Sequence, residues 1–157
     1  MTTKLPRVGR ILAVDFGTVR VGLAVADWDY PIASPLATYT RVRDDIDRAY
    51  FIKTVEQERI TGIIVGLPIH NSGKEGVKAR ESRDYADWLA KVTKLPIELV
   101  DERFTTVFAE EILWDAGFTH KQRKARRDAL AAQILLKSYL ESLPPAEKKS
   151  EESQDEG

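Results

Sequence analysis

The run Thr61-Gly-Ile-Ile-Val-Gly66 constrains this chain more than any other segment. Both alternating sets of its side chains are apolar, so as a strand it has no face to show to water and must lie inside a sheet that is covered on both sides. Gly66-Leu-Pro68 ends it. A strand of that kind requires helices above and below, and 157 residues, 43% of them hydrophobic, supply one such core rather than two.

The flanking pattern fills in the rest. Arg10-Ile-Leu-Ala-Val-Asp-Phe16 and Val21-Gly-Leu-Ala-Val-Ala-Asp27, joined by Gly17-Thr-Val-Arg20, read as an antiparallel hairpin. A third strand is expected near Pro35 to Thr40, then a helix from about Asp44 to Glu58 whose apolar positions are only loosely periodic. A loop runs to about Gly76. From Val77 to Thr93 the residues Tyr85, Trp88, Leu89 and Val92 recur at helical spacing, and Leu95-Pro96 separates that helix from a strand at Ile97-Glu-Leu-Val-Asp101. Two more helices are expected, one from about Thr106 stopped by Gly117, and one reaching Glu141. The order β-β-β-α-β-α-β-α-α predicts an α/β three-layer fold with a mixed five-stranded sheet, three antiparallel strands followed by two parallel ones, flanked by helices. Carboxyl ends of neighbouring strands then share one edge, where sites form.

Composition narrows the chemistry. There is no cysteine, which excludes a disulfide framework, a thiolate nucleophile and a Cys-ligated metal site. No apolar run approaches the roughly 18 residues needed to span a bilayer, so a soluble, cytoplasmic protein with no membrane partner is expected. The net charge of −1 at first weighs against a nucleic-acid partner. Its distribution reverses that. Residues 144–157 hold five acidic and two basic side chains and no large apolar residue, and are expected to be a disordered acidic tail; the remaining domain, 1–143, is mildly basic. Five cations fall within the seven positions from Lys121 to Arg127, namely Lys121, Arg123, Lys124, Arg126 and Arg127. A second group, Lys74, Lys78, Arg80 and Arg83, follows the glycine-containing loop.

Three acids stand out against this background. Asp15 lies in an otherwise apolar strand, where an ionised carboxylate loses hydration without an evident partner. Asp101 and Glu102 close the last strand, and since adjacent strand residues face opposite ways, at most one of them shares a face with Asp15. Asp128 falls in a stripe with Ala131, Ala132, Leu135 and Tyr139. If its helix begins near Thr119, where Thr119 and Gln122 form a capping box, Asp128 is a mid-helix acid facing the sheet; if the helix begins near Arg127, Asp128 is an N-cap. Oxygen ligands without His or Cys suit Mg²⁺ or Mn²⁺, and a two-metal site built from such carboxylates hydrolyses phosphodiesters. Cations beside it would hold the anionic strand.

The segments Asp15-Phe-Gly-Thr-Val-Arg-Val-Gly22, Ile64-Val-Gly-Leu-Pro68, Asp101-Glu-Arg-Phe-Thr-Thr106 and Asp128-Ala-Leu-Ala-Ala132 resemble, in order and spacing, the YqgF or RuvX family, a bacterial branch of ribonuclease H-like nucleases related to the RuvC resolvases. The resemblance covers about residues 10 to 142. It implies a ribonuclease H-like fold, a cytoplasmic location and a nuclease maturing the 5′ end of precursor 16S ribosomal RNA, with Holliday-junction resolution as the other activity proposed. RNA is thus the favoured partner and branched DNA the second, acted on by a monomer or a homodimer. Matched position by position, the resemblance makes Asp15, Glu102 and Asp128 the catalytic and metal-holding acids. Arg20, Arg103, Thr105 and Thr106 become candidates for substrate contacts, alongside Lys74, Arg123, Lys124, Arg126 and Arg127. Two departures stand out: the loop His70-Asn-Ser-Gly73 supplies no carboxylate where relatives often have Asp, and Arg127 precedes Asp128 where relatives commonly have an aliphatic residue.

Two rivals compete with this reading. Asp15-Phe-Gly-Thr18 also resembles the phosphate loop of the actin and sugar-kinase superfamily, but those proteins close two lobes over a nucleotide and this chain has length for one. A binding module that keeps the fold without cutting would gain nothing from three acids placed near phosphate. Trp28, Trp88 and Trp114 offer base-stacking surfaces or dimer contacts, although Trp88 belongs to an apolar helical stripe and is expected in the core.

Overall fold

The computed structural model describes residues 5–68, 76–102, 117 and 119–144, with the side chains of 123–125 excepted. Strands β1 (Arg10–Asp15), β2 (Arg20–Asp27) and β3 (Ser34–Thr40) form the meander; helix α1 (Asp44–Gln57) leads to β4 (Ile60–Leu67), α2 (Val77–Thr93) to β5 (Ile97–Asp101), and α3 (His120–Ser142) closes the fold. The sheet order is β3-β2-β1-β4-β5. β1, β2 and β3 run antiparallel, while β4 pairs in parallel with β1 on one side and β5 on the other. The apolar run is therefore an interior strand, and Ile63, Ile64 and Val65 are fully buried. The mixed five-stranded α/β architecture is the one expected. The helix expected from Thr106 to Gly117 and nearly all of the acidic tail lie outside the described residues.

The two faces of the sheet differ in bulk. On one, Leu12, Val14, Leu23, Ile63 and Val65 meet Phe51 of α1 and Tyr85 and Leu89 of α2. On the other, Ala13, Ala24 and Ala26 join Ile11 and Ile64 beneath Ala132, Leu135, Leu136 and Tyr139 of α3. Small residues under α3 let its backbone approach closely. At Gly22 the approach is closest: a methyl group there would run into the backbone carbonyl of Asp128.

Helix ends follow local chemistry. Thr119 and Gln122 form the reciprocal capping box, with Gln122 N donating to Thr119 Oγ1 at 3.2 Å and Thr119 N donating to Gln122 Oε1 at 2.9 Å. Asp128 is consequently a mid-helix residue rather than an N-cap. The loose periodicity of α1 also has a cause. Two of its inward positions are polar: Asp47 accepts from Tyr39 Oη at 2.6 Å and Val42 N at 2.9 Å, and Thr54 Oγ1 donates to Tyr50 O at 2.8 Å. Phe51 is the apolar anchor between them. Asp44, Asp45 and Asp47 in its first turn complement the helix dipole.

The close approach at Gly22 is testable. Gly22→Ala sets a Cβ against main chain that no side-chain rotation relieves, and should cost about 2 kcal/mol in urea unfolding. An unchanged midpoint would show that α3 does not rest on this residue.

Candidate active site

β1, β4 and β5 end side by side at one edge of the sheet, with β4 in the middle. Asp15 is the last residue of β1, and Glu102 directly follows β5, its N–H donating to Leu67 O at 3.2 Å so that the ladder runs one residue further. The two carboxyl groups must reach across β4 to meet. They do so over Gly66, where a methyl group would collide with Glu102 Oε2. Asp15 and Glu102 share a side-chain hydrogen bond, which requires a proton between two groups that otherwise only accept. Asp101 points the other way and is exposed, as strand alternation requires.

Asp128 approaches from α3. Asp15 pairs with Gly22 in the β1–β2 register, and the backbone of Asp128 lies on Gly22, so the helix carries its acid to Asp15. The Asp128 carboxylate receives Arg20 Nε at 3.0 Å, with both side chains partly exposed. Lys78, in the first turn of α2, exerts a favourable charge on both Asp15 and Glu102. Burial is nevertheless dominant. It pushes the Asp15 carboxyl above its ordinary range, with the Asp128 charge adding to the rise. Glu102 is pushed up to about 9, first by burial and then by the neighbouring Asp15.

Of the other residues singled out from sequence, Arg126 is exposed on α3 and Arg127 half-buried beside Asp128. Lys74, Arg103, Thr105 and Thr106, and the side chains of Arg123 and Lys124, lie outside the described residues. Sequence reasoning missed Gly22 and Gly66, whose signal was a glycine interrupting an apolar strand, and it did not single out Lys78 within its basic group.

Mg²⁺ or Mn²⁺ suits this edge by two observations. The donors are all carboxylates, and among the described residues no backbone N–H, hydroxyl or cationic side chain donates to the buried Glu102 Oε2. A bound cation would supply a partner and remove the need for the shared proton. Among the described residues, no three Asp, Glu or His side chains are already grouped around one point. Asp128 is engaged by Arg20 instead.

Known proteins share the sequence pattern and the fold. The family model described as RuvX, Holliday junction resolvase, matches residues 9–142. A Rhodopirellula baltica protein named "Putative pre-16S rRNA nuclease" is 47% identical over 137 residues, 87% of this chain and 79% of that one. A Rhodobacter capsulatus protein of the same name is 40% identical over 139 residues, covering 88% of this chain and 87% of its own. Among solved structures, Thermus thermophilus RuvC in complex with a Holliday junction substrate superimposes with a TM-score of 0.52 at 14% identity, over 88% of this chain and 99% of that one. The fowlpox virus resolvase, in complex with its Holliday junction DNA, gives 0.53 at 14% identity, over 85% and 97%. At such identity these two structures show the fold alone. Among the described residues no helix is long and apolar enough to cross a membrane.

The raised carboxyls carry a pH signature. Between the ordinary glutamate range and about 9, native Glu102 holds a proton that the unfolded chain has released, so stability of the metal-free protein falls as pH rises through that window. Thermal unfolding in EDTA from pH 5 to 9 should show this decline, and Glu102→Gln should flatten most of it. Added Mn²⁺ should restore stability at the alkaline end. A wild-type profile that is flat or rising would contradict the shared-proton geometry.

Proposed function

The chain belongs to the RuvX family and is a nuclease, and from that premise we propose that it is a metal-dependent hydrolase of phosphodiester bonds acting in 5′-end maturation of precursor 16S rRNA. The observation that carries the chemistry is the Asp15–Glu102 pair over Gly66, with Glu102 Oε2 buried and no backbone N–H, hydroxyl or cationic side chain donating to it among the described residues. The choice of RNA rests on the names of its relatives in Rhodopirellula and Rhodobacter.

Asp15 and Glu102 would hold the divalent cation, with Asp128 completing the set once Arg20 turns away. Bound there, such a cation would supply polarisation of the phosphodiester and a water nucleophile near neutral pH. The chain's own residues do the rest. Asp15 and Glu102 release their shared proton as the site fills, which couples occupancy to pH. Arg20, held on Asp128 by a partly exposed ion pair worth little in water, is able to transfer its guanidinium to a phosphate oxygen of the strand. Lys78 offsets negative charge at the acid pair, and the exposed Arg126 extends the basic track for the strand beyond the cut. By analogy with the fold, cleavage would leave 5′-phosphate and 3′-hydroxyl ends.

Purified protein with Mg²⁺ or Mn²⁺ should cut an RNA bearing the precursor 5′ extension in preference to a four-way DNA junction, and EDTA should abolish cutting. Asp15→Asn should lower the rate by about 10²-fold or more while binding persists. Equal residual cutting by wild type and Asp15→Asn would remove the metal-nuclease reading; a junction cut faster than RNA, by a dimer, would move the substrate to branched DNA.

The basic run has its own measure. Replacing Arg123, Lys124, Arg126 and Arg127 by Ala should weaken RNA binding and reduce the slope of log K against log salt by about 0.7 for each phosphate that is no longer neutralised. An unchanged slope returns these residues to solvated surface.

A further inference from the structure

Phe16 follows Asp15 in the chain, and strand alternation sends it through the sheet to the side of α1 and α2. There it borders a cavity of about 580 Å³, bounded by the β1–β2 turn at Thr18, the segment after β3 at Arg41, and α2 at Tyr85 and Trp88. We propose that this cavity receives an unstacked, amino-bearing nucleobase of the nucleic acid whose backbone lies at the acid edge, an inference that rests on the nuclease reading above.

Its volume is that of a small-molecule site, with room for a base and its sugar. Its walls present ring faces. Tyr85 and Trp88 are stacked with centroids 5.3 Å apart, and the Arg41 guanidinium lies over Phe16 at 5.3 Å and over Tyr85 at 5.1 Å. Such a set of rings and a guanidinium plane accepts a flat heterocycle. Although Trp88 packs on Phe51 as the apolar stripe predicts, it is only partly buried and its other side borders this space.

Polarity selects the heterocycle. The Tyr85 hydroxyl is buried without a hydrogen-bond partner in a residue only 6% exposed. A group in that state gains from any ligand that supplies one. Asp44, Asp47, Glu81 and Asp84 also line the cavity, and neither Glu81 nor Asp84 has a hydrogen bond or ion pair among the described residues. The two cations are engaged: Arg41 Nη1 donates to Gly17 O at 3.3 Å and Thr18 O at 3.2 Å, and Arg43 Nε pairs with Asp45 at 2.8 Å. A phosphate would be repelled here. A base carrying an exocyclic amine offers an NH₂ to the carboxylates, whereas uracil has only its N3–H between two carbonyl acceptors that the carboxylates repel. α2 ties the two regions together, since Lys78 acts on the acid pair and Glu81, one turn on, lines the cavity.

Fluorescence anisotropy of the full chain, in EDTA so that nothing is cut, would be read on roughly 12-nucleotide single-stranded RNAs in which one abasic position is moved along the strand. One position should cost about 5- to 100-fold in affinity, and uridine there should bind about tenfold more weakly than cytidine. In Tyr85→Phe and in the surface double variant Glu81→Gln/Asp84→Asn, that penalty should shrink to the level of its neighbours, with circular dichroism confirming the fold. A flat abasic series with wild-type binding intact would overturn the cavity assignment and leave the nuclease reading standing. Failure to bind any unmodified RNA or DNA strand, both in EDTA and by Asp15→Asn in Mg²⁺, would instead take away the nuclease reading and the cavity with it. A flat series together with tight binding of an arginine-rich peptide, weakened in the double variant, would give the cavity to a basic protein segment and equally overturn the inference.

Discussion

Everything at the acid edge depends on two places where the sheet has no side chain. α3 sets its backbone on Gly22, and the Glu102 carboxyl crosses β4 over Gly66. A helix on a sheet normally stands off by the depth of the interleaved side chains, which would hold Asp128 away from Asp15. Glycine removes that spacing under Asp128 itself. The alanines at 13, 24 and 26 continue the shallow floor toward the far end of α3, so the whole helix lies down rather than pivoting on one point. The opposite face, built of Leu, Val and Ile, carries bulk enough for two helices. The asymmetry between the faces is thus the means by which one sheet both anchors a core and brings the helix that carries Asp128 down beside the Asp15–Glu102 pair.

Bringing carboxylates together has an electrostatic cost that the fold only partly offsets. Arg20 neutralises Asp128, Lys78 acts on the other two, and the remaining repulsion is relieved by a proton held between Asp15 and Glu102. Each of these compensations is reversible. Arg20 is partly exposed and the shared proton is not a fixed charge, so a divalent cation and a phosphate, bound as proposed, would replace both. A site compensated by buried, fixed cations would be more stable and would have no reason to bind a metal.

Much of this was legible in the sequence because periodicity reports burial. β4 declared itself as an interior strand by having no polar face, the hairpin by its paired apolar runs, and α3 by the Thr119–Gln122 box, although the two placements of Asp128 stayed open until the structure showed the helix starting at that box. Alternation limited the choice at Asp101 and Glu102 to one acid, and Glu102 is the one that meets Asp15. What sequence could not supply depended on contacts between elements distant in the chain. Arg20 and Asp128 are 108 residues apart, and nothing local to either indicates the pair. The glycines at 22 and 66 were visible as residues, but their purpose appears only when a helix and a carboxylate occupy the space above them. The inward face of α1 was obscure because Asp47 and Thr54 are buried there for their hydrogen bonds, against the apolar pattern.

The same alternation that sorts core from surface also divides the chemistry between the two sides of the sheet. Asp15 and Phe16 are consecutive, so one cannot face α3 without the other facing α2. Gly17 and Thr18 then turn the chain, and both carbonyls are held by Arg41, whose guanidinium also stacks on Phe16 and Tyr85. Arg41 therefore fixes the turn that follows β1 while forming a wall of the cavity behind it. A strand of nucleic acid whose phosphate lies at the acid edge has this turn as its nearest route to that cavity, and the residues that set the turn are the ones that would sense a base within it. Asp15 and Tyr85 are in this sense parts of one structural unit, joined by Phe16, the turn after it and one arginine.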